Sequence, residues 1–207
     1  MPNTNKRMFL FVTFFCLLIL PLTGLDEEGL QADLPVLISS CGQSPGATMI
    51  KVIFMKLDFE NPDPAYTTKM QAAAEDLVSA QEEGAPYKSL IIVMGASLKG
   101  MGAAGISIED ELSRIDSLIQ EAQNQGITII GAHIEGTKRR AQGAAPGDNT
   151  DELSIDAVAP LSDILVINKQ GNEDRRFSII AEENNIPMIM VEKNLELMEK
   201  LKVLFSQ

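Results

Sequence analysis

The stretch PVLISSCGQSP, residues 35–45, contains the unit on which the fold of this chain is built. An apolar run, residues 35–40, leads into Gly42. Ser44 and Pro45 follow as the N-cap and first-turn pair that starts many helices. The order strand, glycine-bearing loop, helix is the βα unit of parallel sheets. The sequence therefore predicts a strand that ends beside a helix N-terminus.

The same unit recurs along the chain. Further runs rich in Val, Ile, Leu and Met lie at residues 89–94, 127–130, 164–167 and 186–191, with a weaker sixth run at 57–60. The strong runs are nearly continuous, as in strands covered by helices on both faces. We predict one α/β domain, residues 33–207: a three-layer sandwich with a mostly parallel sheet of five or six strands in Rossmann-like or flavodoxin-like order. Both orders bind ligands at the carboxyl ends of the strands.

Helix starts are indicated by capping residues. Ser107 with Asp110 forms a capping box, and so does Thr68 with Gln71. Periodic apolar residues predict further helices at 151–159, 173–185 and 194–205. No internal repeat or linker divides the chain.

The N-terminus has the order of a secretory signal peptide. Lys6 and Arg7 precede an apolar stretch of 13 residues, 8–20, which is short for a membrane span of about 20 residues. We predict a signal peptide at residues 1–24, with cleavage as late as 32, and hence a periplasmic or extracellular protein. An uncleaved N-terminal anchor is the alternative.

Composition excludes several classes of function. The chain has 207 residues, with 17 basic and 29 acidic side chains and a net charge of −12. Loss of residues 1–24 removes Lys6, Arg7 and no acid, so the charge becomes −14. This balance argues against nucleic-acid binding, which needs clustered cations. A single histidine argues against a zinc site, and the lone Cys41 left after cleavage excludes an intramolecular disulfide; we infer no disulfide-linked partner. No cofactor is indicated.

The loops that follow the predicted strands are small, polar and rich in glycine. Because parallel strands end at one edge, these loops are expected to meet, and helix N-termini there favour anions. We predict a site for a small anionic ligand at this edge. A membrane protein is a candidate partner for the domain when the ligand is bound. The predicted ligand-binding residues are Gly42, Gln43, Ser44, Gly95, Ser97, Lys99, Gly100, His133, Arg139 and Asn172.

Two other functions remain open. A hydrolase would use Ser97 as nucleophile and His133 as base, although Lys99 breaks the G-x-S-x-G elbow. A protein-interaction module would bind no ligand at this edge. A dinucleotide site is disfavoured, since the G-x-G-x-x-G match that starts at Gly100 lies six residues beyond its strand.

Three segments carry a resemblance to a known family. PVLISSCGQSP at 35–45, LIIVMGASLKGMGAAGI at 90–106 and IIGAHIEGTKRR at 129–140 resemble exported bacterial α/β proteins known as a domain of unknown function. The resemblance spans nearly all of the mature chain, and the long glycine loop is its most specific part. It implies a secreted single-domain α/β fold and assigns no catalytic residue. Cys41 departs from the small residue that the resemblance implies before Gly42.

Overall fold

A computed structural model describes residues 29–141 and 150–206. The predicted signal peptide and residues 142–149 lie outside these ranges. Strands alternate with helices along the described chain. The strands are β1 (Val36–Cys41), β2 (Tyr66–Thr68), β3 (Ser89–Met94), β4 (Thr128–His133), β5 (Ile164–Asn168) and β6 (Met188–Val191). The α-helices are α1 (Gly46–Leu57), α2 (Ala74–Glu82), α3 (Leu98–Ala104), α4 (Ile108–Gln125), α5 (Thr150–Val158), α6 (Arg176–Asn184) and α7 (Asn194–Leu204).

All six strands form one parallel sheet in the order β2-β1-β3-β4-β5-β6. The predicted α/β fold is thereby confirmed, and the flavodoxin-like order is the one adopted, with β6 added at the far edge. From β1 the chain winds outward to β2 on one side and to β3 on the other. The topological switch point therefore lies between the carboxyl ends of β1 and β3, where such sheets bind ligands.

Two local predictions are wrong. The sixth strand is β2 and not residues 57–60, because α1 continues through Leu57 and ends where Asp58 adopts a left-handed φ of 48°. Thr68 does not cap a helix, since it lies in β2. The helix that follows begins at Ala74. The Asp76 carboxylate accepts a hydrogen bond from the amide of Ala73, the residue before the helix, at 2.8 Å. By contrast, the capping box of Ser107 and Asp110 starts α4 as predicted.

The sheet separates two hydrophobic cores, and more helices cover one of them than the other. Every residue of β1 and β3 is buried, and successive side chains point to opposite faces. On one face the core is completed by α2, α4, α5 and α6. On the other face, within the described residues, it is completed by α1 and α7 together with segments flanking them. No helix in residues 29–141 or 150–206 is long and apolar enough to cross a membrane.

Candidate functional site

The loops after β1 and β3 meet directly over the switch point. The Ser97 amide donates to the Gly42 carbonyl at 2.7 Å, and Gln43 forms an isolated antiparallel bridge with Ala96. Gly42 has φ +92°, and a Cβ built there would lie 2.6 Å from the Ala96 Cα. Only glycine permits this approach. The sheet edge is thus closed by backbone contact between two loops that the sequence predicted to converge.

Backbone amides of these loops are already bonded to side chains of the protein. We predicted that amides at this edge would be free to bind an anion, and four of them are not. The pairs are Gly42 with Glu111 Oε1 at 2.8 Å, Gly46 with Ser44 Oγ at 3.0 Å, Gly95 with Ser154 Oγ at 2.9 Å, and Ala96 with Asp151 Oδ1 at 2.9 Å. These four amides are therefore not available to a ligand.

Glu111, in the first turn of α4, fixes the β1 loop. It is buried, and the Gln43 side-chain amide also donates to its Oε1 at 3.1 Å. Arg114 neutralises it at 2.8 Å and donates to the Ser40 carbonyl at 2.6 Å. Nothing in the local sequence distinguishes Glu111 from the other acids in the first turn of α4, Glu109 and Asp110. Gln43 is consequently oriented by the protein itself.

A second carboxylate, Glu135, lies at the N-terminus of α1. The buried Ser44 hydroxyl donates to it, and the Gly46 amide also contacts it. Burial raises the pKa of Glu135 above its usual value, while Arg139, with Nε 3.5 Å from its Oε1, acts to lower it. The protein's own carboxylate thus occupies the place where helix dipole and amide would attract an anion.

Arg139 is the cation that the fold brings to the switch point. It lies in a short 3-10 helix, Gly136–Arg139, and its Nη1 donates to the Ala96 carbonyl at 3.0 Å. Its side chain packs against Gly95, where an added Cβ would come within 2.9 Å of it, and remains 26% exposed. Burial also raises the pKa of neighbouring Asp151, which Arg139 opposes. One guanidinium thus joins the β3 and β4 loops, and the Arg139 side chain as a whole stays partly exposed.

Ser97, Lys99 and Gly100 lie in or beside α3, a short helix inside the predicted glycine loop. The Ser97 hydroxyl accepts the Gly100 amide at 3.1 Å, so it caps this helix. Gly100 packs on the Gln43 carbonyl, and a Cβ added at Gly100 would lie 2.8 Å from the Gln43 carbonyl oxygen. Lys99 is exposed in the first turn. The loop is therefore an ordered turn of helix docked on the β1 loop.

His133 and Asn172 are buried and bonded within the fold. The His133 Nδ1 lies 3.3 Å from the Met94 carbonyl oxygen, and its Nε2 lies 3.1 Å from that of Gly136. Asn172 Oδ1 accepts the Phe177 amide at 2.9 Å and so caps α6. Among the described residues, no hydrogen bond joins His133 to Ser97. The geometry therefore provides neither residue with the partner that a serine-hydrolase mechanism requires.

Cys41 is equally unsuited to nucleophilic chemistry. Its side chain is buried at the end of β1, and burial raises the pKa of its thiol well above the ordinary value, with Glu111 adding to the effect. The thiolate is the nucleophile in cysteine chemistry, so this thiol is unreactive. No cluster of His, Cys, Asp and Glu in the described ranges has the arrangement of a metal site.

We expect His133 to titrate far below the ordinary histidine range. Burial lowers its pKa to about 4, against about 6.5 in the unfolded chain. Above pH 6.5 both states are neutral and stability is unaffected. As pH falls from 6.5 to about 4, the unfolded state takes up a proton that the folded state does not, so about 3 kcal/mol of stability is lost.

An NMR titration checks this directly, since His133 is the only histidine in the chain. In denaturation experiments, His133→Gln should lack this pH-dependent loss between pH 6.5 and 4. An imidazole that titrates near pH 6.5 in the folded protein would mean that the ring is not buried.

Comparisons with known proteins give one family and a set of distant solved structures that includes an esterase and a lipase. A family model described as "Domain of unknown function (DUF6305)" matches residues 33–205. A psychrotrophic esterase, EstA, from Pseudoalteromonas sp. is 12% identical with a TM-score of 0.33, over 75% of this chain and 76% of that chain. A GDSL-like lipase from Bacteroides thetaiotaomicron is 13% identical with a TM-score of 0.31, over 82% and 83%. Curated proteins provide no match. Structural likeness at this level carries no argument about chemistry.

Proposed function

This chain belongs to the DUF6305 family of unknown function, and we propose that it is an exported protein that binds a small anionic ligand at the carboxyl edge of its sheet. The observation that carries the proposal is the placement of Arg139. Its guanidinium is held on the Ala96 carbonyl at the β1–β3 switch point, and its side chain is partly exposed. Arginine presents several donors in a planar fork that suits carboxylate and phosphate oxygens.

The charges around Arg139 support a small ligand rather than a polyanion. Lys138 is its exposed neighbour in the chain, and Lys99 is exposed on α3, which follows the adjoining β3 loop. Glu135 and Asp151 flank the guanidinium and would repel an extended run of negative charge. A single carboxylate or phosphate group satisfies Arg139 with the least opposition from these acids.

Export is the second part of the proposal. It is supported by the positive residues Lys6 and Arg7 before the apolar run at residues 8–20. An uncleaved leader would keep the domain at the outer face of the membrane, where a membrane protein could receive the ligand. Edman sequencing of the exported protein decides between a mature N-terminus near residue 25 and an intact leader.

Ligand binding is tested by thermal and chemical denaturation with phosphate and with mono- and dicarboxylates. A compound present at 100 times its dissociation constant is expected to stabilise the protein by about 2.7 kcal/mol. Arg139→Gln should abolish the stabilisation, because the side chain that binds the oxyanion is lost.

Lys138→Gln is the matched control, since it removes the same charge from the next residue but leaves Arg139 in place. Each variant's stability without ligand is measured first, so that a folding defect is recognised. The proposal fails if no anion stabilises the protein, or if the anion stabilises Arg139→Gln as much as it stabilises Lys138→Gln.

A further inference from the structure

The sheet face that carries α1 and α7 is unusually apolar on its solvent side. Half of the large hydrophobic side chains that are exposed in the described residues lie on these two helices. They are Val52, Met55, Leu195 and Val203, each between 45% and 64% exposed. The other four are scattered over separate elements. We call the solvent side of these two helices the α1–α7 face.

The exposed side chains are aligned along each helix. Val52 and Met55 are three residues apart on α1, and Leu195 and Val203 are two turns apart on α7, so each pair lies on one side of its helix. Between the helices runs an open groove of about 580 Å³. Its lining is mostly apolar and includes Val52, Ile53, Leu195 and Met198, with Lys56 beside them. The face is therefore continuous from one helix to the other.

The two helices are positive in a strongly negative chain. Lys51 and Lys56 are the only charged residues of α1. Lys200 and Lys202 offset Glu196 and Glu199 on α7. The helices together therefore have a net charge of +2, whereas the whole chain has −12. Apolar side chains between lysines are the pattern of surfaces that lie on a membrane.

The first described residues of the domain lie beside α1 and α7, on the core side of these helices. Leu30 and Ala32 pack against the core beneath α1 and α7, and the Ala32 amide donates to the Leu204 carbonyl at 2.8 Å. Nine residues, 21–29, separate the apolar run at residues 8–20 from Leu30. A leader that is retained would therefore hold the α1–α7 face close to the bilayer.

We propose that the α1–α7 face docks on a bilayer surface containing anionic lipids. A second copy of the chain fits the charges less well. A two-fold interface brings one surface against the same surface of the partner, so +2 would meet +2. An anionic headgroup layer instead complements the lysines, and its interfacial region accepts the exposed apolar side chains.

The experiment uses the absence of tryptophan from the chain. Leu195→Trp and Val203→Trp each place one fluorophore on the α1–α7 face. Ile179→Trp is the matched control, because Ile179 is 47% exposed on α6, which packs on the opposite face of the sheet. The full chain is mixed with vesicles of phosphatidylcholine, with or without phosphatidylglycerol.

With phosphatidylglycerol present, emission from the Leu195→Trp and Val203→Trp variants is expected to shift to the blue and to be quenched by lipids brominated in their acyl chains. The fluorophore introduced by Ile179→Trp should show neither effect, whether or not the leader inserts. Lys56→Gln with Lys202→Gln removes the positive surplus, and the docked-to-undocked ratio should fall by about thirtyfold. Circular dichroism verifies that this double variant is folded.

Three results would overturn the proposal. Equal quenching in Ile179→Trp and Leu195→Trp would mean that the membrane contact is not confined to this face. If the blue shift and the quenching were the same in vesicles of pure phosphatidylcholine as in vesicles with phosphatidylglycerol, docking would not depend on anionic lipid. A blue shift that grows with protein concentration in the absence of vesicles would identify a second copy of the chain as the occupant.

Discussion

Replacing Arg140 by methionine is expected to lower the free energy of unfolding by about 3 kcal/mol. The Arg140 side chain is fully buried, donates to Glu152 Oε1 at 2.9 Å and to Asp174 Oδ2 at 2.6 Å, and lies over the Phe177 ring with its Cζ 5.2 Å from the centroid. Its Nη1 also donates to the Gly171 carbonyl. Removing one member of a buried ion pair leaves the other charge poorly compensated, which costs about 3–5 kcal/mol. Arg176, whose Nε lies 2.9 Å from Glu152 Oε2, keeps the loss at the lower end.

Urea denaturation measures this loss, with Arg175→Met as the matched control. Arg175 pairs with Glu182 at 3.4 Å, and both side chains are largely exposed. Exposed pairs contribute less than about 1 kcal/mol, so Arg175→Met should leave the midpoint nearly unchanged. Equal effects of the two substitutions would show that Arg140 is not buried among these acids.

The cluster Lys138–Arg140 illustrates what the sequence can and cannot predict. Three consecutive basic residues after a strand indicated a positive group at the ligand edge, but they have three different environments. Lys138 is exposed, Arg139 lies partly exposed at the switch point, and Arg140 is an internal ion-pair partner. The acidic partners of Arg140 come from α5 and from the turn before α6, and only tertiary packing brings these two segments to Arg140. Local sequence contains no signal for that difference.

The fold was predictable where burial determines composition. Strands β1, β3 and β5 are covered on both faces, so most of their residues are apolar, and the location of each strand follows from that pattern. The edge strand β2 is half-buried along its whole length of three residues, Tyr66–Thr68. Its composition carries no such pattern, whereas residues 57–60, which begin at the last residue of α1, include the apolar Leu57 and Phe59.

The location of the candidate site followed from topology, whereas its chemistry did not. Parallel strands place their following loops at one edge, so the meeting of Gly42 and Ser97 was foreseeable. The acids that bind the loop amides were not, because Glu111 and Asp151 are 69 and 55 residues away from Gly42 and Ala96 in the chain. A glycine-rich loop looks the same in sequence whether its amides await a ligand or bind a carboxylate of the protein.

Gly42→Ala is expected to destabilise the protein by about 3 kcal/mol and to weaken any ligand binding at Arg139. At φ +92°, a side chain on residue 42 is strained by roughly 1–2 kcal/mol. The new Cβ would also lie 2.6 Å from the Ala96 Cα and 2.8 Å from the Gly95 carbonyl oxygen, which are backbone atoms. Relieving such overlap costs about 1–3 kcal/mol more. The loops must separate, and the Ser97–Gly42 hydrogen bond is lost with them.

Gly102→Ala provides the control on the same pair of loops. Gly102 lies within α3, and an added Cβ would meet nothing within 4 Å, so alanine should stabilise the helix by up to about 1 kcal/mol. Urea midpoints measured side by side separate the close approach of the loops from a general response to lost glycine. Because Arg139 is positioned by the Ala96 carbonyl, movement of this loop should also weaken stabilisation by an anion in Gly42→Ala and leave it intact in Gly102→Ala. If Gly42→Ala is as stable as the unmodified protein, the two loops do not meet closely at the switch point. The position of Arg139, on which the ligand-binding proposal rests, would then be wrong as well.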